Sequence, residues 1–130
     1  MSQNLLPGRS LLALGSRPDV RIFRNLVGEG WTGRTVRTEP GGLVLLAQAQ
    51  RVTFGLFPGS GDLMGWRSIT ITPDMVGKTF ARVLSVEIKG PRTRTQDNQV
   101  TWRHAVTAAG GLAGVARSPE QALLIAGLAS

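Results

Sequence analysis

Apolar and polar positions in this chain alternate mostly with a period of two, and three stretches carry helical signals instead. Leu5 to Leu14 is apolar enough for a helix, although Pro7 and Gly8 weaken its start. Gly15 supplies a stop, with Pro18 beyond it. Asp19 to Asn25 alternates as a strand does. Gly28 to Gly42 holds five Gly and one Pro, which predicts a loop or loose hairpin, and Leu43 to Phe54 has room for one or two short strands. Gly55 to Gly61 is a tight, glycine-rich approach to Asp62. From Leu63 to Thr72, Trp66, Ser68 and Thr70 face one way and Ile69 and Ile71 the other. Pro73 to Lys78 is a turn, with Thr72 placed to cap a short helical turn.

Thr79 to Lys89 has the strongest strand pattern, with apolar residues on both faces, as a central strand requires. Gly90 to Arg94 is a basic loop. Thr95 then predicts the N-cap of a helix from Gln96 to Ala109, ended by Gly110-Gly111. Leu112 to Ala116 reads as a short buried strand. Ser118-Pro119-Glu120-Gln121 is a capping box with Pro at N1, opening a last helix to about Leu128. The order α-β-(β)-β-β-α-β-α predicts an α/β fold, a mixed β-sheet flanked by helices.

A chain of 130 residues fits one compact domain over residues 1–130. At that size roughly two thirds of the unfolded surface can be buried. The absence of cysteine excludes zinc-thiolate sites, thiol catalysis and disulfides, and is compatible with a reducing cytoplasm. No apolar run approaches the roughly 20 residues that span a bilayer, and Met1 to Ser10 lacks a signal-peptide layout. The expectation is a soluble, cytoplasmic protein with no membrane partner.

The net charge is +7, with 13 Arg against 2 Lys. Such a balance attracts polyanions, and the guanidinium fork suits bidentate phosphate contacts. A GC-rich genome also produces Arg-rich chains, so charge points toward nucleic acid without establishing it.

The residues that carry chemistry narrow the choice. Asp62 follows the glycine-rich turn, while Glu87 and Lys89, two apart at the end of the strongest strand, share a face. The spacing of Asp62 and Glu87 suits two adjacent antiparallel strands joined through the Pro73 turn. Two carboxylates and an ammonium would then converge at one sheet end. Phosphodiester hydrolysis needs charge neutralisation and an activated water. Carboxylates suit Mg²⁺, and a lysine beside them can orient the water or stabilise developing charge. Ile88 points its side chain to the opposite face, so its carbonyl is the candidate backbone ligand. A Glu-x-Lys pair on a strand is usually only a solvated face. Its place after the most apolar strand, and the partner Asp after Gly59-Ser60-Gly61, argue for more.

Gln99 lies on the apolar stripe of its helix with Trp102 and Val106, one turn from the N-terminus. That position fits either a satisfied core amide or an active-site residue. The helix starts close after Lys89, which favours the second. Arg92 and Arg94 in the intervening loop are placed for phosphate contact. Nothing in the sequence orients Arg34, Arg37, Arg51 or Arg67. His104 falls off the Gln99 face and reads as exposed or interfacial. Trp31 could stack on bases, whereas packing is the expected role of Trp66 and Trp102.

These residues form an ordered pattern: Arg24-Asn25-x-x-Gly28, Gly59-Ser60-Gly61-Asp62-Leu63, Ile71-Thr72-Pro73-Asp74-Met75-Val76-Gly77, Glu87-Ile88-Lys89, Gln99, and the run Gly110 to Ser118. The pattern resembles the VRR-NUC domain of the PD-(D/E)xK nuclease superfamily over most of the chain from about Pro18. The resemblance implies a restriction-endonuclease-like fold, dependence on Mg²⁺ or Mn²⁺, and endonuclease action on DNA. For small stand-alone members it implies a homodimer acting on branched DNA such as four-way junctions. It makes Asp62 and Glu87 metal ligands, Lys89 the catalytic lysine and Gln99 the helix glutamine of the motif. It also puts Arg24 and Asn25 near the active site or the DNA backbone.

Two departures stand out. Gly61 occupies the place where the family pattern usually has Pro. Family members often carry a Glu in the first helix, but Met1 to Pro18 contains no acid and Gln3 stands near that place. An alternative therefore stays open: a junction-binding protein with weakened or no catalysis. A third reading, an oligomeric subunit joined through the apolar segment Ala122 to Leu128, leaves the acidic residues unexplained.

Overall fold

The computed structural model describes residues 6–128. Gln3 and the expected helix start at Leu5 lie outside the described residues. The architecture is mixed α/β, with three helices and three two-stranded sheets among the described residues. The chain divides into two compact units, Met1–Gly65 and Trp66–Ser130.

In the first unit, helix α1 (Leu6–Gly15) packs on strand β1 (Val20–Arg24). β1 pairs with β4 (Leu63–Arg67), the strand in which this unit ends. The two backbones approach so closely that a Cβ on Gly65 would lie 1.9 Å from the Arg21 carbonyl oxygen. In chain order between them comes a long antiparallel ribbon, β2 (Gly28–Glu39) and β3 (Leu43–Phe54). Of the loop or loose hairpin expected from Gly28 to Gly42, the structure has the hairpin alternative, as a 12-residue strand and a turn. The glycines misled because they serve two purposes. Gly41 and Gly42 take positive φ (82° and 76°) in the turn. Gly28 instead leaves room for the Phe54 ring, which would stand 2.9 Å from a Cβ there. Opposite Gly33 the ribbon bulges: Thr32 pairs with Gln50 but Arg34 with Ala47, and Gln48 takes φ 54°.

In the second unit, a 3-10 turn at Pro73–Met75 follows Thr72, as expected. Strand β5 (Leu84–Ile88) pairs in parallel with β6 (Leu112–Ala116), and helix α2 (Asp97–Ala108) connects them. Two expectations are corrected. β5 covers only part of Thr79 to Lys89, because its β6 partner is five residues long. β5 also does not pair with β4: β4 belongs with β1 and β5 with β6. Parallel pairing wins because α2 supplies the crossover that parallel strands need.

α2 begins one residue later than the Thr95 cap predicts, with Gln96 as its N-cap. It ends as expected at Gly110 (φ 97°), where the Gly110 and Gly111 amides donate to the Thr107 and Val106 carbonyls. Helix α3 (Pro119–Ile125) opens with the Ser118 Oγ accepting from the Gln121 amide at 3.2 Å. Gly127 (φ 78°) ends it short of Leu128 by the same closing geometry.

Val106 of α2 and Ala116 of β6 are the fully buried apolar residues among those described. They mark where α2 meets the β5–β6 pair. Trp102 packs there against Trp66, ring centroids 5.5 Å apart, and donates Nε1–H to the Ser85 Oγ at 2.8 Å. Gly114 admits Ile125 of α3, which would stand 2.8 Å from a Cβ. Among the described residues no helix is long and apolar enough to cross a membrane.

Candidate functional site

The end of β5 shows the alternation that a strand imposes. The Lys89 side chain is 11 % exposed and that of Glu87 38 %, whereas Ile88 on the opposite face is 69 % exposed. The strand pairing fixes their height: Glu87 stands beside Val115, and the Lys89 amide donates to the Ala116 carbonyl at 3.1 Å. The Lys89 ammonium lies 3.4 Å from Glu87 Oε1.

Gln99, in the first turn of α2, completes the cluster. Its Oε1 accepts from the Gln96 backbone N–H at 3.0 Å, and its Nε2 donates to Glu87 Oε1 at 2.8 Å. One amide therefore caps the helix with its oxygen and holds the carboxylate with its nitrogen. The two ends cannot be exchanged, since the carboxylate needs a donor and the N–H an acceptor. Both cationic and amide donors meet the same carboxylate oxygen.

The loop after Lys89 is also anchored. Thr93 N–H closes a turn on the Gly90 carbonyl at 3.2 Å. Arg117, just past β6, donates to the Gly90 carbonyl and, at 2.8 Å, to the Thr93 carbonyl. Its own amide donates to Gln121 Oε1 at 2.7 Å, tying the clamp to α3. Arg92 and Arg94 stand exposed on the loop so held. Sequence reasoning assigned Arg117 no role, because its partners are backbone carbonyls that leave no signature in side-chain identity.

The remaining expected residues belong to the first unit. Asp62 is exposed, and its carbonyl accepts from the Asn25 amide at 2.8 Å. Asn25 organises the glycine-rich loop. Its Nδ2 donates to Ser60 Oγ at 2.7 Å and to the Gly61 carbonyl at 2.8 Å, while its Oδ1 accepts from the Leu56 amide at 3.1 Å. Ser60 Oγ also accepts from the Phe57 amide at 3.3 Å. What Asn25 contributes is thus the position of the turn that carries Asp62. Arg24 is exposed at the end of β1, its guanidinium lying over Gly8 of α1. His104 is exposed.

The structure thus gathers Glu87, Lys89 and Gln99 in the second unit, and Arg24, Asn25 and Asp62 in the first. Among the described residues no group of three or more His, Cys, Asp or Glu side chains forms a metal-holding cluster. The donors at Glu87 and the Ile88 carbonyl are nonetheless hard oxygens. Mg²⁺, which retains several waters, is commonly held by one or two carboxylates, so the donor chemistry fits.

No family model, curated protein or solved structure matches the chain.

Proposed function

We propose that this protein is a divalent-metal-dependent DNA endonuclease of restriction-endonuclease-like fold, acting as a homodimer on branched DNA such as four-way junctions. The observation that carries the reading is the Glu87 carboxylate held by Gln99 Nε2 with the Lys89 ammonium beside it. In this reading Glu87 and the Ile88 carbonyl would hold Mg²⁺ or Mn²⁺. When bound, such an ion would supply neutralisation of phosphate charge and a lowered pKa for a water.

The chain's own residues do the rest. Gln99 fixes the carboxylate's rotamer, so the ligand is oriented before substrate arrives. Lys89, mostly covered yet one strand position from solvent-exposed Ile88, presents an N–H to the attacking water or to a non-bridging phosphate oxygen. Arg92 and Arg94 offer guanidinium groups to neighbouring phosphates, and the Arg117 clamp keeps their loop at the end of β5.

A labelled four-way junction incubated with the protein and Mg²⁺ or Mn²⁺ tests the reading. Cleavage is expected, and Lys89→Ala should lower its rate by roughly 100-fold or more. No product with either metal, or undiminished cleavage by Lys89→Ala, refutes it. The single carboxylate in the described Glu87 cluster favours one second reading, a junction-binding protein with little or no catalysis. That reading predicts salt-sensitive binding without product.

A further inference from the structure

The β2–β3 ribbon carries a polar concavity that the proposed catalytic residues do not use. It has a volume of about 590 Å³ and is lined by Thr32, Gly33, Arg34, Gln48 and Gln50. All five residues are exposed. The bulge builds it: Gln48 and Ala49 together stand opposite Gly33, and a Cβ on Gly33 would stand 2.8 Å from the Ala47 carbonyl oxygen.

Electrostatics single out one member. Arg37 pairs with Glu39 at 2.9 Å, and Arg51 pairs with Glu29 and lies over the Trp31 ring. Arg34 has no acidic partner among the described residues, and no acid lines the concavity. The side chains of Thr32, Gln48 and Gln50 likewise have no hydrogen-bond partner among the described residues, so their donors and acceptors face solvent.

We infer that this part of the ribbon reads duplex DNA in the major groove, with Gln48 and Gln50 addressing base edges and Arg34 a guanine edge or a phosphate. The major groove, about 12 Å wide, admits a two-stranded ribbon, and Arg and Gln are the side chains that pair bidentately with guanine and adenine there. The chain's net charge of +7 supplies the general attraction. A protein partner is disfavoured, because the concavity has no large apolar or aromatic side chain to form an interface centre. Duplex RNA is disfavoured because its major groove is too narrow to enter.

The inference rests on the proposed function only in taking DNA as the partner, and needs no cleavage. The experiment is equilibrium binding, in EDTA, of the whole chain to a fluorescent four-way junction and to DNA and RNA duplexes of the same sequence. The comparison is with a triple variant, Arg34→Ala, Gln48→Gly and Gln50→Ala. Gly suits the positive φ at position 48, so the bulge is retained while the amide is lost. The triple variant should bind both DNA probes roughly tenfold or more weakly. Arg34→Ala alone should reduce the salt slope of log K by about one. Unchanged DNA affinity, equal binding of duplex RNA, or a shift in oligomeric mass with DNA affinity intact overturns the inference. Ribbon-dependent binding in EDTA, together with no product in the Mg²⁺ or Mn²⁺ junction assay, supports it while refuting the nuclease reading. Cleavage with ribbon-independent binding does the reverse.

Discussion

Replacing Gln99 with Ala removes two bonds at once. One is the Nε2 donation to Glu87 at 2.8 Å, the other the acceptance from Gln96 N–H at 3.0 Å. A hydrogen bond to a charged group contributes about 1.5–3 kcal/mol, and the partial exposure of Glu87 puts this one at the low end. The capping bond adds about 0.3–1.5 kcal/mol. Gln99→Ala should therefore destabilise the protein by about 2 kcal/mol, read as a lowered urea midpoint at unchanged m-value. Gln99→Glu separates the two bonds. A carboxylate keeps the capping acceptor and sits favourably in the first turn of a helix, yet it cannot donate to Glu87 and repels it. Its stability should fall between those of Gln99→Ala and wild type, while junction cleavage should be as poor as for Gln99→Ala. A loss below about 0.5 kcal/mol for the alanine variant would falsify the energetic assignment. Wild-type cleavage by Gln99→Glu would show that amide donation does not orient Glu87.

Three further outcomes test the supporting structure. Asn25→Ala loses three bonds to the Leu56–Gly61 loop and should cost about 2–3 kcal/mol by urea denaturation. Asn25→Asp should also destabilise the loop, because a carboxylate without a proton then faces the Gly61 carbonyl. Gly65→Ala forces a methyl group into the Arg21 carbonyl and should cost at least about 3 kcal/mol or prevent accumulation of folded protein. Arg117→Ala frees the loop from Gly90 to Thr93, so trypsin should cut after Arg92 and Arg94 several-fold faster than in wild type, with little change elsewhere.

What could be read from the sequence was local. The shared face of Glu87 and Lys89 follows from a period of two. The place of Gln99 on α2 follows from helical period and a short preceding loop. The stop at Gly110 and the Ser118 cap are single-residue signals, and the structure contains both. Long-range pairing was not legible. Nothing in Leu63 to Arg67 announces that it joins β1 rather than β5, since that choice depends on backbone approach at Gly65. The ribbon was hidden because Gly28, Gly30 and Gly33 resemble loop glycines until Phe54 is seen against the first two and Ala47 against the third. Asn25 and Ser60 lie 35 residues apart, and their bond leaves no local trace.

The parallel pairing of β5 with β6 also sets an order in time. Glu87 lies beside Val115, so the strand bearing the carboxylate has no such neighbour until the chain has been made through Ala116. Synthesis proceeds from the N-terminus at about 5–20 residues per second, and the closing contact spans the whole of α2. On the ribosome, Glu87 and Lys89 therefore emerge with β5 unpaired, and their arrangement is completed only as β6 docks.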